Sequence, residues 1–142
     1  MEIAFEKLGG LVPAIVQDQA SGEVLMLGFM NAESLELTQR NGEVVFFSRS
    51  RNKLWKKGES SGHVLKVHDI LIDCDTDALL IRATAVGPGV CHEGYRSCFF
   101  RSLNRDGAVH VIARRTFSPD SVYAAANPQP AKESKKPCHP LD

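Results

Sequence analysis

Along residues 1–117, short apolar runs alternate with turn signals, a pattern that predicts strands more often than helices. Residues 11–17 (Leu-Val-Pro-Ala-Ile-Val-Gln) read as a short strand. Pro13 lacks an N–H for the ladder and predicts an edge or irregular position for it. Residues 18–22 supply a turn and residues 24–30 a second, almost wholly apolar strand, so the two predict a hairpin. Asn31 is a suitable helix N-cap, Met30 and Leu35 occupy the positions of a hydrophobic staple, and Asn41-Gly42 supply a stop. One helix over 32–40 is expected. Val44-Val45-Phe46-Phe47 is rich in the β-branched and aromatic residues that suit a pleated surface. Residues 63–73 and 78–86 predict an antiparallel pair, and Val109 to Val111 a last strand. The fold class expected is α+β, a mostly antiparallel sheet with few helices.

Composition divides the chain. Five of the seven prolines follow Ser118, among Ala, Ser and Lys. Such a segment offers little apolar surface against its ordering entropy, so residues 118–142 read as a proline-rich tail or irregular wrap behind a domain over 1–117. The 142 residues suffice for one core without disulfides. A formal net charge of zero gives no global attraction for nucleic acid or an anionic membrane. No run approaches the roughly 20 apolar residues of a membrane span, and the N-terminus lacks the pattern of a secretory signal. A cytoplasmic location is expected, where the four cysteines are free thiols or metal ligands rather than disulfides.

The candidate chemistry begins with Asp73-Cys74-Asp75-Thr76-Asp77. In an extended backbone, residues two apart face the same way, so the three carboxylates would share a face and Cys74 would point to the other. Three carboxylates repel one another unless a cation neutralises them, and hard oxygen donors suit Mg²⁺. The plain structural alternative is a polar turn. Cys91, His92 and Cys98 follow, behind Gly87-Pro88-Gly89 in an irregular loop. Thiolates suit zinc, and three protein ligands plus a water is the open arrangement of a catalytic site. Against this, Cys74 could be a core residue and the other thiols incidental. His92 adjoins a candidate ligand and is the first acid–base candidate, and His63 is the second. Cys138, beside His139 in the tail, reads as an exposed bystander.

Arg49, Arg51, Lys53, Lys56 and Lys57 gather around the single tryptophan, Trp55, ahead of Gly58-Glu59-Ser60-Ser61-Gly62-His63. Cations beside a flexible loop with free backbone N–H groups and hydroxyls suit phosphate binding, and Trp55 could stack on a purine. The plain alternative is a solvated charged loop.

Taken in order, these segments resemble the phosphoribosyl-AMP cyclohydrolase family. The resemblance rests on residues 11–18, 22–31, Trp55-Lys56-Lys57-Gly58-Glu59-Ser60-Ser61-Gly62-His63, Asp73-Cys74-Asp75-Thr76-Asp77 and Cys91-His92-Glu93-Gly94-Tyr95-Arg96-Ser97-Cys98-Phe99. The family more usually has Thr where Ser60 and Glu93 stand. The resemblance implies hydrolysis of the N1–C6 bond of the adenine ring of phosphoribosyl-AMP, giving a ring-opened carboxamide in histidine biosynthesis. It implies an intertwined homodimer with zinc held by Cys91 and Cys98 of one subunit and Cys74 of the other. It also implies Mg²⁺ at Asp73, Asp75 and Asp77, and a substrate site that includes Arg49, Trp55, Lys57, Gly58, Glu59, Ser61 and Gly62. No nucleic-acid or membrane partner is expected. The competing class is a zinc-stabilised nucleic-acid-binding module without catalysis, which would close four ligands on the metal within one chain.

Overall fold

The structure is a computed structural model and describes residues 1–126. After a 3₁₀ turn at Phe5–Leu8 come β1 (Val12–Asp18), β2 (Val24–Met30), α1 (Ala32–Asn41), β3 (Val45–Ser48), β4 (Lys53–Lys56), β5 (Leu65–Ile72), β6 (Leu79–Ala85), β7 (Arg101–Leu103), β8 (Val109–Val111) and α2 (Pro119–Ala126). The α+β class holds, with strands predominating.

The main sheet runs β2-β1-β6-β5. β1 pairs antiparallel with β2, and β5 with β6, as the hairpin patterns predict; β1 and β6 run parallel at the centre. Alternation fixes which face is inward. Val12, Ala14, Val16 and Asp18 of β1 are buried, as are Leu79, Ile81 and Ala83 of β6, with partly exposed residues between them. The apolar ones among them meet Leu25, Met26, Met30, Leu35, Phe46 and Leu65 in one core cluster.

Pro13 sits in an interior strand, contrary to the edge expected of it. Pairing with β6 starts only at Ala14, so the missing N–H falls at the end of the strand, ahead of that ladder.

The helix follows its caps. Asn31 Oδ1 accepts from Ser34 N at 2.8 Å, Ser34 Oγ accepts from Asn31 N at 2.9 Å, and Gly42 ends the helix in the left-handed region. Thr38 Oγ1 then donates to Ser34 O at 2.8 Å and accepts from Val45 N at 3.0 Å, locking α1 to the start of β3.

Gly28 is required by close packing. A Cβ there would lie 2.5 Å from Cδ1 of the buried Phe46 ring. Gly28→Ala is expected to cost about 1–3 kcal/mol through overpacking, read as a lower urea midpoint at unchanged slope. An unchanged midpoint would contradict the packing.

β3 and β4 form a separate hairpin in which Phe46 faces Trp55, their ring centroids 5.5 Å apart. β7 and β8 form a second ribbon. On it Leu103, Val109 and Val111, with neighbouring Phe99 and Ile112, are each more than half exposed.

The expectation of an irregular segment from 118 onward fails for its first part, which is α2. Pro119 takes the first helical position, where a missing N–H costs nothing. Cys138 and His139 lie outside the described residues.

Candidate active site

Two loops meet beside β2. The first leaves β4 at Lys57 and folds back on itself: Gly62 N donates to Gly58 O at 2.8 Å, Glu59 N to Lys56 O at 3.2 Å, and His63 N to Ser61 Oγ at 3.1 Å. Gly58 has φ +86°, and a Cβ there would lie 2.5 Å from the His63 backbone, so only glycine fits this fold-back. The free amides expected of the loop are thus partly consumed within it, because the chain closes its own turn.

The second loop carries both buried-side thiols. Val90 N donates to Arg96 O and Cys91 N to Tyr95 O, each at 3.1 Å, and Gly94 N to Cys91 O at 3.0 Å. This reversal places the fully buried Cys91 and the half-buried Cys98 in one cluster with Tyr95 and Phe100, whose rings stack at 3.7 Å. Ser97 Oγ donates to Val24 O at 2.7 Å and Cys98 N to Leu25 O at 2.8 Å, fixing the loop to β2. Arg96 adds ion pairs to Asp18 at 3.1 Å and Glu23 at 2.8 Å. The Ser21 hydroxyl and backbone N–H, then the Arg96 guanidinium, hold the Asp18 carboxyl below the ordinary range despite its burial. The Lys57 ammonium, also buried, donates to Val90 O and lies 5.5 Å from the Trp55 ring centroid, joining the two loops.

Between the loops is a pocket of about 90 Å³, with Trp55, Lys57, Gly58, Glu59, Ser60 and Ser61 on one side and His92 and Cys98 on the other. Met26, Val90 and Tyr123 complete its lining. His92 is exposed at this surface.

The aspartate run lies elsewhere, in the turn from β5 to β6. It is not extended: Asp73 Oδ1 accepts from Asp77 N at 3.0 Å and Ala78 N at 3.1 Å, and Thr76 stands in the left-handed region at φ +63°. The three carboxylates therefore do not share the face of an extended strand, nor does alternation set Cys74 on an opposite one. The carboxylates converge nonetheless, because the turn folds them together, with one oxygen of each within 4.8 Å of the others. Among the described residues this is the one group of three metal-ligating side chains, and a hard divalent cation suits its donor set. Lys7 reaches into it, 3.5 Å from Asp75 Oδ2 and 3.4 Å from Asp77 Oδ2. Desolvation, then hydrogen bonds shared with Asp75 and Asp73, raise the Asp77 carboxyl above its usual range. Accepting from Asp77 lowers Asp75. Cys74 is exposed in the same turn.

A family model described as phosphoribosyl-AMP cyclohydrolase matches residues 26–100, which hold both pocket loops and the acidic turn. A phosphoribosyl-AMP cyclohydrolase of Solibacter usitatus is 54% identical over 123 residues, covering 87% of this chain and 97% of the relative. Its namesake in Chlorobium phaeovibrioides is 53% identical over 114 residues (80% and 82%), and that of Methanococcoides burtonii 54% over 114 (80% and 90%).

The chain belongs to the phosphoribosyl-AMP cyclohydrolase family.

Membership decides for an enzyme over a non-catalytic module. No helix among the described residues is long and apolar enough to cross a membrane. Within this cyclohydrolase-family chain, the pocket gathers most of the sequence-predicted substrate residues together with His92 and Cys98, and leaves others apart. Arg49 lies with its guanidinium 4.1 Å from the Phe29 ring centroid, and Gly62 is exposed on the loop outside the pocket lining. His63 packs edge-on to Phe117 at 4.9 Å, and a Cβ on Gly87 would lie 2.5 Å from its ring. Neither Cys74 nor the three aspartates line the pocket. Met26, Val90 and Tyr123 escaped the sequence reading. The first two carry only an apolar signal that also fits the core, and Tyr123 stands in a segment read as tail.

Proposed function

We propose that this chain hydrolyses the N1–C6 bond of the adenine ring of phosphoribosyl-AMP in histidine biosynthesis. The observation that carries the reading is the pocket in which Trp55 and Ser61 face His92 and Cys98. One side offers an aromatic face and hydroxyls for a nucleotide, and the other an imidazole and a soft ligand.

Zinc held by Cys91, Cys98 and Cys74 of the partner subunit would supply a water acidic enough to attack near neutral pH. Three features favour sharing between subunits. Cys74 sits in the β5–β6 turn, outside the cluster of Cys91 and Cys98. A pocket of about 90 Å³ is small against the roughly 300–1,000 Å³ of small-molecule and cofactor sites. The β7–β8 ribbon offers apolar surface for a second copy.

His92 takes a proton from the attacking water. The water oxygen bonds to C6, the N1–C6 bond breaks with its electron pair going to N1, and His92 returns the proton there. The second proton of the water passes from the new C6 hydroxyl to the exocyclic nitrogen, leaving C6 as a carboxamide, so one water is consumed and atoms balance. Trp55 supplies a stacking face, and Ser61 and Glu59 offer partners for ribose hydroxyls. Lys57 holds the two loops in register through Val90. Asp73, Asp75 and Asp77 would hold magnesium, a hard cation for phosphate oxygens.

Purified protein supplied with zinc and magnesium should convert phosphoribosyl-AMP to a product heavier by one water, followed by ultraviolet absorbance and mass spectrometry. No turnover in metal-loaded protein would refute the reading.

A further inference from the structure

The segment after β8 is seated on the active-site loops. Thr116 N donates to Gly94 O at 2.8 Å, and Arg115 Nε to Glu93 O at 2.9 Å. A Cβ on Gly94 would lie 2.5 Å from Phe117 O and 3.1 Å from Pro119 Cδ, and one on Gly89 would lie 2.9 Å from Thr116 Oγ1. Gly94 thus admits this strap, whereas Gly89 is required first by its own loop, a Cβ there lying 2.5 Å from Tyr95 O. Phe117 also reaches the glycine-rich loop through the His63 ring. The strap therefore spans both loops that form the pocket, and α2 follows directly. From α2 the half-buried Tyr123 enters the lining beside Trp55, His92 and Cys98. The strap and α2 themselves lie beyond residues 26–100, the part matched by the family model.

We propose that Tyr123 is a substrate-contact residue whose ring packs on the purine of the nucleotide, with residues 115–119 as the strap that delivers it. This rests on the purine-nucleotide reading of the pocket. Base–aromatic stacking tolerates any base and depends on the ring face rather than on the hydroxyl. Truncating the ring should therefore weaken binding more than it slows the chemical step.

The test compares Tyr123→Ala and Tyr123→Phe with wild type on phosphoribosyl-AMP, with melting temperatures alongside. Tyr123→Ala is expected to raise KM about tenfold or more, with kcat within about threefold of wild type. Tyr123→Phe should restore KM. Tyr123→Leu, bulky but without the ring, reads the same contact should the alanine protein unfold. A second readout uses AMP as the probe and the fluorescence of Trp55, the single tryptophan. Its quenching should need more AMP in the alanine and leucine proteins than in the phenylalanine protein. An unchanged KM and AMP affinity in folded Tyr123→Ala would overturn the proposal, and so would a phenylalanine protein as impaired as the alanine one. Wild type without turnover would sink the cyclohydrolase reading by itself, while the AMP titration would still decide the role of Tyr123.

Discussion

Cys91→Ala is expected to abolish ring opening, by at least about a thousandfold, and to leave the purified protein without stoichiometric zinc. Cys91 is fully buried and shares its cluster with Cys98, Tyr95 and Phe100. The thiolate would supply one of three ligands, and two do not hold zinc in a catalytic geometry. The fold should survive. Only a small side chain is lost from a satellite cluster outside the main core, a cavity cost of about 1–2 kcal/mol, and the backbone bonds of the loop remain. A lowered melting temperature by a few degrees, with zinc and activity gone, is the expected combination. Full activity in metal-free Cys91→Ala would remove zinc from the mechanism.

His92→Ala is expected to lower kcat by about 10²–10⁴-fold while zinc content stays at the wild-type level. His92 is exposed at the pocket, so its loss opens no cavity and its role is chemical. His63 provides the comparison. Its ring is wedged between Phe117 and Gly87 and does not line the pocket. His63→Ala should therefore change stability more than kcat. Equal losses of kcat in both variants would contradict the assignment of the proton transfer to His92.

Local signals were legible in the sequence, and long-range ones were not. Asn31 with its staple and Gly42 marked α1 because capping is decided by neighbours within a turn. The β1–β2 and β5–β6 pairs followed from apolar runs joined by turns. The parallel pairing of β1 with β6 joins residues more than sixty apart and leaves no local trace, which is why Pro13 read as an edge. β4 was hidden among cations: Lys53 and Lys56 flank Leu54 and Trp55, and the β3 partner supplies the order. The aspartate turn depends on Thr76 in a left-handed conformation that its sequence does not advertise. Convergence of the carboxylates was anticipated by an argument that the turn invalidates. In the site, ordered motifs named the two loops and the thiols, but not Tyr123. Its place depends on a strap that meets Gly94 and His63 only after folding.

If zinc is held across two subunits, as proposed, mixing two inactive variants should restore it. Cys74→Ala keeps Cys91 and Cys98, and Cys91→Ala keeps Cys74. In a two-fold dimer of one of each, one site has all three thiolates and the other has one. Unfolded together in equal amounts and refolded, the two parents should recover about a quarter of wild-type activity, since about half of the dimers are mixed and each has one intact site. Zinc should return in the same proportion. Mixed dimers that form but show no activity or zinc above the parents would contradict the shared site.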